Sequence, residues 1–125
     1  MPRPSPQPRA DPAAVLTKGL LRASGLLGLS SAALGRVLGV SEASVSRLVS
    51  GSRTVDPATK EGELALLLIR VYRSLDALVG TDAAQRKAWM ESHNRALNGQ
   101  PLELVQRAEG LAAVVSYLDA MRAPA

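Results

Sequence analysis

The sequence predicts an all-α protein in two parts, an N-terminal helix-turn-helix followed by a small helical unit. Three observations predict this. Apolar residues after Ala13 recur at three- and four-residue spacing, with no convincing period-two run. The core must be built from Leu, Val, Ala and Met, because Trp89, Tyr72 and Tyr117 are the only aromatics, and Ala and Leu favour helix. Two short apolar patterns flank a tight turn within residues 30–51, which is helix-turn-helix spacing.

The elements follow in order. Residues 1–12, "MPRPSPQPRADP", have no core-forming pattern, and their prolines favour polyproline II or disorder. Asp11-Pro12 can cap and open a first helix carrying Val15, Leu16, Leu20 and Leu21, ending by Gly28. Ser30 or Ser31 can cap a second, with Ala33, Leu34, Val37 and Leu38 inward and Gly39 as its stop. Ser41 can cap a third from Glu42, where Val45, Leu48 and Val49 share a face up to Gly51. Residues 51–58 read as a linker with a turn at Asp56-Pro57. A long helix over 59–79 has a broad stripe of Leu64, Leu67, Leu68, Val71, Leu75, Leu78 and Val79. So wide a stripe suits two neighbours. Either both lie in the monomer, or one is a second subunit centred on Leu67, Val71 and Leu75. Thr81 can cap a further helix holding Ala84, Ala88 and Trp89. Asn98-Gly99 is a turn, Pro101 a new start, and a last helix from Leu111 carries Val114, Val115, Leu118 and Met121. The expected organisation is a disordered start at 1–12, a helix-turn-helix unit at 13–58, a central helix at 59–80 and a C-terminal unit at 81–125.

Composition bounds the chemistry. The absence of Cys removes disulfides and thiolate metal sites. The longest apolar run, Leu64–Ile69, is too short to span a membrane. The N-terminal region lacks the apolar segment of a signal peptide, so a cytoplasmic protein is expected. His93 is the sole histidine, and Glu61 and Glu63 point apart on a helix. The glycines lack the Lys-Ser/Thr finish of a phosphate loop. Neither catalysis, a metal nor a cofactor is expected.

Charge is uneven. Residues 1–60 hold eight Lys/Arg against three Asp/Glu, a balance of +5; residues 61–125 hold seven against eight, a balance of −1. A basic first half containing a helix-turn-helix points toward operator DNA. Its candidate contacts are Ser30 and Ser31 to phosphate, Arg36, Arg47 and Arg53 to backbone charge or guanine, and Ser44 and Ser46 on the outward face. One arginine among small serines and a glutamate makes a thin reading face. Use of the helix-turn-helix purely for packing therefore stands beside DNA binding.

The second half carries a resemblance. "WMESHNRALNGQPLELVQRAEGLAAVVSYLDAMR" resembles the C-terminal domain of the Xre/MbcA/ParS-type antitoxins, through Trp89, Asn94, Leu97, Gly99, Pro101, Leu104, the Gly110 helix start and Leu118-Asp119-Ala120 with Arg122. The Xre-like helix-turn-helix precedes it in that family's order, so the likeness spans roughly residues 14–122. The closing "MRAPA" offers no long tail beyond the last helix. The resemblance implies a homodimeric antitoxin, not an enzyme, that covers the NAD cleft of a cognate RES-domain toxin and represses its own operon. The toxin would degrade NAD or transfer ADP-ribose. The residues placed at that contact are Trp89, Asn94, Tyr117, Asp119, Met121 and Arg122. Trp89 also suits the core, Asn94 suits a turn that orders the Trp89 helix, and Arg122 suits the C-terminal end of its own helix. A helix-turn-helix regulator without a toxin partner, or a helical adaptor that never meets DNA, are the competing classes.

Overall fold

In the computed structural model, residues 11–123 are described, and they form seven helices: α1 (Pro12–Leu27), α2 (Ser31–Leu38), α3 (Glu42–Ser50), α4 (Lys60–Val79), α5 (Ala83–Glu91), α6 (Pro101–Leu104) and α7 (Ala108–Arg122). The all-α expectation holds over these residues; the one β-type pairing among them is an isolated bridge between Asn94 and Gly99. The expected disorder at 1–12 falls mainly outside the described residues. Within them, Asp11 accepts from the Ala13 N–H at 3.0 Å and Pro12 opens α1.

Side-chain caps define most helix starts. Ser30, Ser41 and Thr59 each accept a hydrogen bond at 3.1 Å from the N–H three residues on, relieving an orphan donor of α2, α3 and α4. At α5 the cap is Asp82, not Thr81: its carboxylate accepts from both Ala84 and Gln85. A carboxylate is the stronger acceptor and also suits the positive end of the helix. The last helix begins at Ala108, a turn earlier than Leu111. Gly110 makes that early start possible. A Cβ there would stand 2.1 Å from the Leu104 carbonyl oxygen, so only glycine lets α7 pass so close to α6.

α4 is the spine. Ala65, Leu68, Val71 and Leu75 are fully buried on it, with α1 packed along one side and α7 along the other. One apolar cluster runs from Leu16 and Leu20 of α1 through α2–α4 to Leu111, Val114 and Leu118 of α7. Leu68, Val71 and Leu75 of the broad α4 stripe are thus covered inside the monomer, while Leu78 stays 38 % exposed. Val71 and Leu75 have no exposed surface, and Leu67 is half-buried against the same cluster. The surface left open on this side is Val15, Leu66 and Ile69, with Leu16, Gly19 and Pro57 lining the same groove of about 450 Å³.

The 51–58 segment is more than a linker. Val55 is 1 % exposed, and its N–H donates to Thr17 Oγ1 at 2.8 Å, while Thr17 Oγ1 donates to the Ala13 carbonyl at 2.7 Å. This buried chain of bonds fastens the approach to α4 onto α1. A second anchor, Arg86 of α5, is 7 % exposed; its Nε donates to the Leu26 carbonyl at 2.8 Å and its guanidinium lies 5.9 Å from the Tyr72 ring. It satisfies an orphan carbonyl at the end of α1 and packs on an aromatic face.

Candidate DNA and partner interfaces

α2 and α3 pack through Val37, Leu38, Val45 and Leu48, across a turn at Gly39-Val40. The turn is tight enough that a Cβ on Gly35 would meet the Val40 carbonyl at 2.8 Å. This leaves Glu42, Ala43, Ser46, Arg47 and Ser50 exposed along α3, with Ser44 half-buried. Val49, expected on the inward face, is 66 % exposed. Burial on α3 is confined to Val45 and Leu48.

The candidate DNA residues differ in how free they are. Ser30 is spent on capping α2, while Ser31 is exposed at its first position. The Arg47 side chain bonds only within its own helix, to Ser44 Oγ at 3.1 Å, and remains exposed. Arg36 donates through Nε to Gln106 Oε1 at 2.6 Å. Arg53 forms a bidentate pair with Glu61 at 2.6 and 2.8 Å. That hydrogen bonding raises the Arg53 guanidinium above its ordinary value, outweighing the lowering by its partial burial. Arg53 is therefore a structural tie between the α3–α4 segment and α4, beside the contact to backbone charge expected of it. Arg47 is the guanidinium left for DNA on the outward face of α3.

The candidate partner residues fall on two surfaces. Trp89 and Tyr117 stack across α5 and α7, with centroids 6.4 Å apart and planes at 24°. Both are half-buried, and Met121, one turn beyond Tyr117, is 54 % exposed. Met90 faces the opposite way and is 1 % exposed, so of the adjacent pair only Trp89 reaches the surface. Trp89 and Asn94 border a hollow of about 390 Å³ with Val79, Gln85, Ala88 and His93. Asn94 closes the loop into which it leads: its Oδ1 accepts from the Leu97 N–H at 3.1 Å, and its backbone pairs with Gly99. Asn98, at φ 55°, takes the left-handed position that the turn requires and that Asn tolerates.

Asp119 and Arg122 lie on the other side of α7, facing α4. Asp119 pairs with Arg70, Ser74 Oγ donates to Asp119 Oδ1 at 3.4 Å, and Arg122 donates to Ser74 Oγ at 3.2 Å. Arg70, Arg73, Ser74, Asp119 and Arg122 line an open basin of about 450 Å³. Arg70 and Arg73 escape sequence reasoning because their relation to Asp119 is a tertiary contact between helices about fifty residues apart. Among the described residues, no group of three His, Asp or Glu side chains is placed to hold a metal ion, and no helix is long and apolar enough to cross a membrane.

Residues 74–123 match the model of the antitoxin Xre/MbcA/ParS C-terminal toxin-binding domain, and residues 6–70 match that of the antitoxin Xre-like helix-turn-helix domain. The two matched segments meet inside α4. The chain is also similar to a chain in the crystal structure of the M. tuberculosis MbcT-MbcA toxin-antitoxin complex, with 30% identity, a TM-score of 0.62, and coverage of 86% of this chain and 93% of that one. No curated protein matches.

Proposed function

The chain belongs to the Xre/MbcA/ParS family of antitoxins, and on that premise we propose that it binds and neutralises a cognate RES-domain toxin by covering the toxin's NAD cleft. The observation that carries this reading is the match of residues 74–123 to the toxin-binding domain, joined to 30% identity with a chain of a toxin-antitoxin complex. The protein acts by binding and is not an enzyme. Trp89, Tyr117 and Met121 form one contact surface, and Asp119 with Arg122 marks a second. Asn94 acts indirectly, by holding the loop that follows the Trp89 helix.

Two further roles belong to the same proposal. The exposed face of α3 contacts operator DNA through Arg47, with Ser31, Ser44 and Ser46 beside it, and so represses the operon in the cytoplasm. Self-association uses the Val15, Leu66 and Ile69 groove rather than the buried stripe of α4. The test of the central claim is co-expression with the product of the neighbouring gene. A complex should co-purify, and NAD turnover by the isolated toxin should fall to background as this chain is added. Full suppression by residues 1–58 alone, or no complex, would return the protein to the class of plain helix-turn-helix regulators.

A further inference from the structure

The basin between α4 and α7 holds three guanidiniums and one carboxylate. Arg70 and Arg73 are three residues apart on α4, and Arg122 approaches from the last turn of α7. Like charges at this helical spacing repel. Asp119 offsets part of that by pairing with Arg70, and Ser74, 3 % exposed, links Asp119 to Arg122. Arg73 makes no ion pair among the described residues. Two positive charges are therefore left over, on a surface where two of the three guanidiniums are already oriented.

Asp119 is consequently committed. Its two oxygens face Arg70 and Ser74, so it is poorly placed to meet a basic side chain of a partner. We propose that the partner surface at this basin is acidic: a carboxylate-bearing segment of the toxin docks on Arg73, Arg70 and Arg122, while Asp119 is a positioning residue that holds Arg70. This rests on the toxin-binding reading. A guanidinium fork matches a carboxylate in a bidentate, planar geometry, which suits arginine rather than lysine at all three positions. The basin is open, with the Arg70 side chain 54% and the Asp119 side chain 41% exposed. A small free anion there would stay hydrated and screened, whereas a docked protein surface excludes water and strengthens the pairing. Arg73 also borders the apolar groove of Val15, Leu66 and Ile69, so apolar contact surface adjoins the charge. A polyanionic nucleic acid fits less well, because Asp119 sits partly exposed in the middle of the basin.

The test measures affinity of the full chain for the toxin encoded by the neighbouring gene, by calorimetry at two salt concentrations, for wild type, Arg73→Ala, Arg73→Glu and Asp119→Asn. Arg73 is exposed and unpaired, so both of its variants should melt as wild type does. Arg73→Ala should weaken binding about tenfold and reduce its salt dependence, and Arg73→Glu should weaken it by about a hundredfold, as like charges meet across the interface. Asp119→Asn should cost less than Arg73→Glu. Tighter binding by Arg73→Glu would show a basic partner surface and overturn the inference. So would equal binding by wild type and Arg73→Glu, or an Arg73→Glu effect confined to a promoter duplex. Absence of binding by the wild type would instead overturn the toxin-binding reading, and the inference with it.

Discussion

Trp89 and Tyr117 lean on each other from different helices, their ring centroids 6.4 Å apart and their planes 24° from parallel. Each ring keeps the other half-buried at a surface. Large rings held this way anchor interfaces at little entropic cost. Trp89→Ala should therefore weaken toxin binding by about tenfold or more, and Tyr117→Ala should follow it. Trp89 is the sole tryptophan, so its emission reports on this surface alone. Toxin at saturation should shift that emission; an unchanged spectrum would remove Trp89 from the contact.

The Arg53–Glu61 pair tests whether the first-half arginines serve structure or DNA. Its side chains are 31% and 17% exposed, and the pairing is bidentate. Arg53→Ala and Glu61→Ala should each lower stability by about 1 kcal/mol after allowance for solvent screening. The double variant should lose less than the sum of the two, since both remove one interaction. Urea unfolding of the four proteins gives the cycle. Additive losses would mean that the two groups act separately.

DNA binding should depend on Arg47 more than on Arg36 or Arg53, since the latter two are held by Gln106 and Glu61. A gel-shift titration with the promoter and a scrambled duplex should show weaker promoter binding by Arg47→Ala. Ser44→Ala should act modestly, through loss of its bond to Arg47. Affinity should fall as salt rises, because phosphate neutralisation releases counterions. Equal, weak binding to both duplexes would mean that the helix-turn-helix only packs.

Gly110→Ala is expected to destabilise the C-terminal unit, although alanine is the better helix former by about 1 kcal/mol. The added methyl would meet the Leu104 carbonyl carbon and oxygen at 2.8 and 2.1 Å, and backbone cannot yield as a flexible side chain does. Separating α6 from α7 should cost about 1–3 kcal/mol, read as a lower thermal midpoint. A variant as stable as wild type would show that this packing is looser than the close approach implies.

Self-association separates the exposed groove from the buried stripe. Leu66→Glu should abolish any dimer seen by sedimentation while leaving the fold intact, because Leu66 is 48 % exposed. Val71→Glu should unfold the monomer instead, since a charge would be buried without a partner at a position with no exposure. A folded Val71→Glu monomer would restore Val71 to the subunit interface.

What the sequence determined was local. Helix starts at Asp11, Ser41 and Pro101 were legible, and that of α2 to within Ser30 or Ser31, because a cap or a proline acts on the backbone within four residues of itself. The α2–α3 turn was legible for the same reason, as was the order of motifs that carries the family resemblance. Asp82 outcompeted Thr81 as the α5 cap through a choice between adjacent acceptors that spacing alone does not make. Tertiary structure decided which faces were left over. A stripe as broad as that of α4 fits two partners, and nothing in its periodicity says whether the second is α7 or another subunit. Docking of α1 and α7 on either side buries Val71 and Leu75 and leaves Val15 and Leu66 outside. Charge behaves likewise. Arg53 and Arg70 look alike in sequence, but side-chain electrostatics acts over a few ångströms. Only the packing of helices distant in the chain gives one of them Glu61 as a partner and sets the other, with Arg73 and Arg122, around Asp119.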